Sequence, residues 1–403
     1  MRLYREIMEK DKNYFNKKGK SAENILHNLA EKTFLSDWCY LNPRLEKGKE
    51  LCDLLVVYDD IAIIWQIKNL KLDKQGKYKQ SELEKNLRQL SGAKRQLFDL
   101  KKSVELENPH RGKEKFDLTT INKIFLISVL FGQGEEMFSF IEEIKKHKVH
   151  IFNEEFTKIA LNELDTIADF VEYLDKKEVL INKNKNFLII GGEKELLAFY
   201  LFNNRSFDRF DNADHVIIEE GSWDLLQTKP EYIAKKKADE ISYMWDGMIS
   251  RAHESFSKEY ELVARELAWP NRVQRRFLSK AFLSAWIEAD RSKVDYPYRR
   301  ILISDGMTYC FLFQNDPTPT REKRKEHLGT ICFIARGKCK NNKKVIGIAT
   351  ERKIKPTCSY DFCVIYLPEW TDELQKQSED IQNKYKIFLN PSIRHIREEE
   401  YPV

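Results

Sequence analysis

The spacing of apolar residues changes several times along the first part of the chain, and each spacing predicts a different element. Residues 21–34 carry apolar side chains at helical intervals, which predicts a first amphipathic helix. The run WCYLNP at 38–43 predicts a short strand. Two apolar, β-branched runs at 50–58 and 61–68 are separated only by two aspartates, so they predict a β-hairpin with a two-residue turn.

The next stretch predicts a helix, a buried strand, a second helix and a further strand. Leucines recur at helical intervals through 80–100, while 123–131 is a continuous apolar run typical of a buried strand. Residues 135–147 are predicted as helix and 149–153 as strand. The first part of the chain therefore predicts the order helix, three strands, helix, strand, which is an α/β fold.

A domain boundary is expected within 175–187, where charged residues replace the periodic pattern. It divides the chain into a first domain of residues 1–182 and a second of residues 183–403, both within the usual range of domain sizes. The second domain is predicted to be α+β, with a role in recognition, sensing or oligomerisation. Its predicted helices lie at 192–203 and 272–289, and its predicted strands lie at 299–305, 307–314, 329–337, 344–350 and 361–367, with 329–351 forming a hairpin.

Composition narrows the class of protein without indicating a function. Hydrophobic residues make up 42% and charged residues 33% of the 403 positions, and no apolar run reaches the roughly 18 to 20 residues that cross a bilayer. The charged N-terminal segment lacks the apolar core of a signal peptide, and the seven cysteines form no Cys-x-x-Cys pair. These features predict a cytoplasmic protein with reduced thiols and no membrane segment.

Positive charge is concentrated in one part of the chain. Between Lys68 and Lys115 there are fourteen lysine or arginine residues and seven aspartate or glutamate residues, whereas the net charge of the whole chain is only +5. This local excess of cations is suited to phosphate, and hence to nucleic acid. The alternative interpretation is a solvated helix face without a ligand.

The predicted hairpin brings polar residues together at its open end. If the two aspartates form the turn, Tyr58 pairs with Ile61. In the same register Asp53 lies directly opposite Gln66, with Cβ atoms about 4.5 to 5.5 Å apart. Lys68 follows on the same face, because side chains alternate along a strand. An acid, an amide and an ammonium group are therefore expected to converge; a solvated ion pair at a strand end is the alternative.

Glu23 on the first predicted helix is a further candidate. It falls on the rim of the apolar stripe of that helix, whereas Glu31 points away from the stripe. Glu23 is therefore placed to reach a site at the sheet edge. The alternative is a first-turn acid that interacts favourably with the helix dipole.

Together these features resemble the PD-(D/E)xK nuclease superfamily, whose members share the restriction-endonuclease-like fold. A glutamate on a first helix, the segments GKELCD and IIWQIK, and the order of helices and strands carry the resemblance. Glutamine before x-Lys is similar to the methyl-directed (Mrr-like) restriction endonucleases. The resemblance covers roughly residues 15 to 160. It implies a restriction-endonuclease-like core, a mixed sheet flanked by helices, ahead of the α+β domain.

The resemblance also implies a role for each candidate. Asp53 matches the metal-binding acid, Gln66 stands at the position of the second acid as a neutral oxygen ligand, and Lys68 matches the catalytic lysine. Glu23 matches the first-helix glutamate, as a direct or outer-sphere ligand. The implied cofactor is Mg²⁺ or Mn²⁺, which suits the negative charge that develops during phosphodiester hydrolysis. Because Gln66 removes one negative charge from the ligand set, weak metal binding is expected.

The helix predicted at 80–100 is expected to flank this site, as it does in the family. It presents cationic and amide side chains that are candidates for contacts with backbone phosphates. These candidates are Lys85, Arg88, Gln89, Lys94 and Arg95, together with Asn86 and Gln96. The alternative interpretation is a solvated face with helix caps.

The residues and the resemblance together predict a Mg²⁺-dependent endonuclease that acts on DNA in restriction or anti-phage defence. A homodimer is expected, since two single sites are the simplest way to cut both strands. The second domain is a candidate site for a partner protein. The alternative function is a catalytically inactive, nuclease-like protein that binds nucleic acid or a partner.

Overall fold

The computed structural model describes most of the chain, and the structural statements below concern the described residues. They are residues 26–28, 30–45, 48–70, 74–75, 80–100, 104–108, 112–115, 117–132, 140–144, 147–183, 186–254, 258–293, 296–314, 320–355 and 357–402. No helix within these ranges combines the length and the apolar character that crossing a membrane requires.

The chain divides into two compact units, Met1–Lys229 and Pro230–Val403. This division differs from the boundary predicted between residues 182 and 183. The charged segment on which that prediction depended is helical as far as Asn182, because its apolar residues still follow a helical repeat. The charged segment is therefore helix, rather than linker, as far as Asn182.

The first unit alternates helices and strands. Its elements are α1 (26–28 and 30–34), β1 (Cys39–Leu41), β2 (Arg44–Leu45), β3 (Leu54–Tyr58), β4 (Ile61–Asn69), α2 (Gln80–Lys94, continued by a π-helical turn, Arg95–Asp99), β5 (Val104–Asn108), β6 (Gly112–Lys115), β7 (Lys123–Phe131), β8 (Ile141–Ile144), β9 (His147–Asn153), α3 (Glu154–Glu163), α4 (Ile167–Asn182), β10 (Asn186–Ile189), α5 (Glu193–Phe202), β11 (His215–Ile218) and α6 (Ser222–Thr228), with 3-10 turns at Ser36–Trp38, Leu118–Thr120 and Asp208–Phe210.

Six strands form the central sheet of this unit in the order β1-β3-β4-β7-β9-β8. β3 and β4 pair antiparallel, whereas β4 and β7 pair in parallel, so the sheet is mixed. Tyr58 pairs with Ile61 next to the turn, which confirms the predicted register of the hairpin. The predicted coarse architecture, a mixed sheet flanked by helices, is confirmed as well.

The two faces of this sheet are covered by different side chains. On one face Ile64 packs with Leu90 of α2 in a fully buried aliphatic cluster. On the other face Trp65 stacks on Phe170 of α4, with 5.6 Å between ring centroids. Because neighbouring residues of a strand point to opposite faces, Gln66 shares the face that α2 covers.

The segment predicted as helix at 135–147 is a strand in its described part. Residues Ile141–Ile144 form β8, which pairs antiparallel with β9. The apolar spacing of this short segment suits either element, and pairing with β9 decides the outcome. The strand predicted at 149–153 is confirmed as part of β9.

The second unit combines a helical layer with a second sheet. Its elements are α7 (Pro230–Asp239), α8 (Tyr243–His253), α9 (Lys258–Ala268), α10 (Arg272–Arg291), β12 (Tyr298–Ser304), β13 (Met307–Gln314), α11 (Arg321–Lys338), β14 (Lys344–Glu351), β15 (Tyr360–Tyr366) and α12 (Asp372–Tyr385), with a 3-10 turn at Glu240–Ser242. The four strands lie in the order β12-β13-β14-β15. The predicted strands other than 329–337 are confirmed, and α5 and α10 confirm the two predicted helices.

The hairpin predicted at 329–351 is wrong. Its first half belongs to α11, in which Leu328, Cys332 and Ala335 are buried at helical intervals. β13 and β14 pair in parallel, so a crossover must connect them, and α11 supplies it. The β-branched residues in this segment favour a strand locally, but the packing of α11 on the sheet overrides that preference.

Candidate functional site

Asp53 and Gln66 meet at the open end of the β3–β4 hairpin. The backbone amide of Asp53 donates a hydrogen bond to the Trp65 carbonyl oxygen at 3.2 Å, which extends the pairing of the hairpin beyond β3. The Asp53 carboxylate accepts a hydrogen bond from Gln66 Nε2 at 2.6 Å and another from the backbone amide of Ile67. The structure therefore brings together the acid and the amide that the sequence predicted.

Lys68 lies farther along β4 than the predicted convergence required. It pairs with Leu130 of β7, on the same face of β4 as Gln66, and its side chain is half-buried. Its side chain is not among the described residues that line the cleft above the Asp53–Gln66 pair. Strand alternation fixes the face of a residue but not the reach of its side chain, which explains why the shared face did not place Lys68 in the cleft.

A cleft with a volume of about 590 Å³ opens over the Asp53–Gln66 pair. The sheet end forms its floor, the segment before β3 forms one wall, and α2 with its π-helical turn forms the other. The lining residues are Lys49, Glu50, Leu51, Cys52, Asp53, Gln66, Lys85, Arg88, Gln89, Gly92, Arg95 and Gln96. Four of these side chains are basic and two are acidic, so the cleft carries a positive balance that attracts anions.

Most of the residues predicted to contact phosphate lie on the cleft wall formed by α2. Lys85, Arg88, Gln89, Arg95 and Gln96 all line the cleft, and Lys85, Arg88, Gln89 and Arg95 are exposed. These five residues are spaced three, four or seven positions apart. Such spacings place side chains on one face of a helix, which explains why all five line the same cleft. The candidate site therefore faces a continuous row of cationic and amide groups.

Two of the predicted contacts point elsewhere. Lys94 Nζ lies 2.8 Å from Nδ1 of His147 on β9, and burial lowers the pKa of this lysine. Asn86 is fully buried on the side of α2 that faces the sheet, where its Nδ2 donates a hydrogen bond to Ser128 Oγ at 2.9 Å. Neither residue lines the cleft, so the prediction that they contact a nucleic acid backbone does not agree with their positions.

The segment before β3 contributes residues that the sequence prediction missed. Lys49 and Glu50 line the cleft opposite α2, and both are exposed. Their signal in the sequence is two charged residues directly ahead of an apolar run that contains Asp53. Cys52 also lines the cleft, but burial, and then the negative charges of Asp53 and Glu50, raise the pKa of its thiol. Cys52 is therefore protonated and unsuited to nucleophilic attack.

The donors at this site suit a hard cation. Asp53 offers a carboxylate, Gln66 offers an amide oxygen, and Glu50 lies in the same cleft. Mg²⁺ keeps several waters and is commonly held by one or two carboxylates, so this small set is chemically adequate. Among the described residues no group of three or more histidine, cysteine, aspartate or glutamate residues is arranged to hold a metal ion. Glu23, the predicted third donor, lies outside the described residues.

The comparisons with known proteins give no family for this chain. A scan against family models, a search of curated proteins and a search of solved structures each found no match.

Proposed function

We propose that the protein is a metal-dependent endonuclease that hydrolyses phosphodiester bonds of DNA. One observation carries this proposal. The Asp53–Gln66 pair lies at the floor of a cleft whose α2 wall bears the exposed side chains of Lys85, Arg88 and Arg95. An acid at a strand end supports cation chemistry, and a basic wall supports binding of a polyanion.

Each residue has a role in the proposed reaction. Asp53 and Gln66 would hold Mg²⁺ or Mn²⁺, which would supply positive charge at the phosphate and lower the pKa of a bound water. Lys68 adds a second positive charge at the reacting phosphate. The α2 wall fixes the DNA backbone without reading its sequence. Glu23 is proposed as an additional ligand on the strength of the family resemblance.

The resemblance to the PD-(D/E)xK superfamily extends the proposal to biology. Restriction or anti-phage defence is the proposed setting. A homodimer that carries two such sites would cut both strands of a duplex. The second unit is proposed to recognise a target or a partner protein.

Supercoiled plasmid DNA incubated with Mg²⁺ or Mn²⁺ tests the proposal. We expect wild type to nick or linearise it, and Asp53→Asn and Lys68→Ala to lose at least a hundredfold in rate, since each removes charge acting on the transition state. Asp208→Asn and Lys32→Ala are matched controls, because both residues are exposed in the first unit and outside the cleft. Cutting by Asp53→Asn at the wild-type rate would contradict the proposal.

A second candidate function is binding without cleavage, and one contact favours it. Because Gln66 donates a hydrogen bond to Asp53, the pair is stable without a cation, whereas two carboxylates in these positions would repel each other. If wild type retards DNA in a gel but leaves it intact with either metal, this second function replaces the first. The retardation should then weaken steeply with added salt.

A further inference from the structure

A row of polar side chains crosses three strands at the candidate site. Gln66 of β4 pairs directly with Ser128 of β7, on the side of β4 away from β3. Asp53, Gln66 and Ser128 therefore occupy neighbouring positions on the face that α2 covers. Two residues to either side of Ser128 along β7, this face is apolar, with Leu126 and Leu130 in the buried core. Gln66 thus lies between an acid on one side and a hydroxyl on the other.

Asn86 of α2 extends this row from the opposite layer. Its Nδ2 donates a hydrogen bond to Ser128 Oγ at 2.9 Å, and both residues are fully buried. On α2 it lies in the buried stripe that contains Leu83, Leu87 and Leu90. A leucine at this position would continue the apolar stripe, so packing alone gives no reason for an amide.

The Asn86–Ser128 pair is only partly satisfied. Asn86 Oδ1 is buried and accepts no hydrogen bond from any described residue. Burying an amide oxygen without a donor lowers stability, whereas a pair of aliphatic side chains of similar shape avoids this cost. The unsatisfied oxygen of Asn86 lowers stability, so its presence near Gln66 calls for a function. A donor that reaches this oxygen in another state of the site would supply one.

We infer that Asn86 and Ser128 are positioning residues that set the orientation of the Gln66 amide, an inference that rests on the proposed function. In the structure the nitrogen of Gln66 faces Asp53. A cation shared by these two side chains requires the oxygen of Gln66 on that side. The amide then turns over, and its nitrogen faces the Ser128 side of β4. The buried acceptors of Asn86 and Ser128 receive that nitrogen and favour the metal-binding orientation.

Calorimetric titration of the full-length protein with Mn²⁺ tests this inference. We expect Asn86→Leu to weaken Mn²⁺ binding about tenfold, as losing a partner of a metal ligand typically does. The melting temperature without metal should change little, because removing the unsatisfied oxygen of Asn86 offsets the hydrogen bond that Ser128 Oγ loses. Ser128→Ala, a smaller change, should shift Mn²⁺ affinity in the same direction. Asn162→Leu on α3 is the matched control, since this asparagine is exposed and distant in sequence from the site.

A double-mutant comparison separates positioning from a general structural effect. The carboxylate of Gln66→Glu has two equivalent oxygens, so it has no orientation to set. Adding Asn86→Leu to Gln66→Glu should therefore change Mn²⁺ affinity by less than about twofold. A purely structural role of Asn86 would weaken Mn²⁺ binding equally in both backgrounds, and that result would overturn the inference.

The outcomes also distinguish this inference from the proposed function. If wild type and Asp53→Asn bind Mn²⁺ equally, or neither binds it, the metal site itself is absent and both proposals fall. If wild type binds through Asp53 while Asn86→Leu and Ser128→Ala bind just as tightly, the nuclease proposal stands and the positioning role fails alone.

Discussion

His150 on β9 is fully buried, and its Nε2 lies 3.1 Å from Oε1 of Glu178 on α4. Burial is the main cause that lowers the pKa of this histidine to about 4, from its usual 6.5. The folded protein therefore binds a proton at this ring less readily than the unfolded chain does. As the pH falls below 6.5 the unfolded chain is protonated first, so stability present at neutral pH is lost between pH 6.5 and about 4.

We predict that this histidine makes the first unit acid-sensitive. Between pH 7 and pH 4.5 it should account for a loss of about 2 to 3 kcal/mol in the free energy of unfolding. Urea denaturation of His150→Gln should show a shallower pH dependence, because the titrating group is gone. His215→Gln is the control, since His215 is exposed on β11. A wild-type pH dependence in His150→Gln would contradict the prediction.

The sequence predicts the positions of some residues of the candidate site but not of others. Asp53 and Gln66 were predictable, because a two-residue turn fixes strand register and register fixes which side chains are opposite. The contact of Lys94 with His147 and that of Asn86 with Ser128 were not, since each depends on which strand lies beside that part of α2. Asn86 turns inward because Ser128 supplies a hydrogen-bond partner on β7, which lies far away in the sequence.

At the scale of elements, two cationic residues of α2 lie in different surroundings. Arg88 is exposed on the cleft wall, whereas Lys94 contacts His147 away from it. We predict that Arg88→Gln weakens DNA binding and lowers the magnitude of the slope of log affinity against log salt by about 0.9, because one phosphate contact is lost. Lys94→Gln, which removes the same charge from the same helix, should leave that slope unchanged.

Fluorescence anisotropy of a labelled duplex, titrated at several salt concentrations, measures both slopes. Equal changes in slope for Arg88→Gln and Lys94→Gln would mean that DNA affinity depends only on the net charge of the protein. In that case the cleft would not be the binding surface.

Elements were predictable where local pattern and tertiary pairing agree. The β3–β4 hairpin is one example, since its turn, apolar runs and register depend on neighbouring residues. α11 is the opposite case, because its β-branched residues suit a strand and only the parallel pairing of β13 with β14 requires a crossover helix. β8 is similar, since its pairing with β9 rather than its spacing decides its structure. Long-range pairing was the information that the sequence pattern lacked.

At the scale of the whole molecule, the end of the first unit is set by buried charges on α4. Asp169 forms an ion pair with Arg205, and both are buried. Lys177 Nζ lies 2.5 Å from Oε1 of Glu193, and the lysine is fully buried. Arg205 and Glu193 both follow residue 182, so the predicted first domain of residues 1–182 would lack them.

A fragment ending at residue 182 is therefore predicted to be much less stable than one ending at residue 229. Removing one partner of a buried ion pair costs about 3 to 5 kcal/mol, and the shorter fragment loses a partner from both pairs. The sum is comparable to the whole stability of a typical domain. We expect cooperative thermal unfolding by circular dichroism, and resistance to brief proteolysis, only for residues 1–229. Equal melting temperatures for the two fragments would show that the segment beyond Asn182 is not part of the first folding unit. The charged stretch at 175–187 would then mark the boundary.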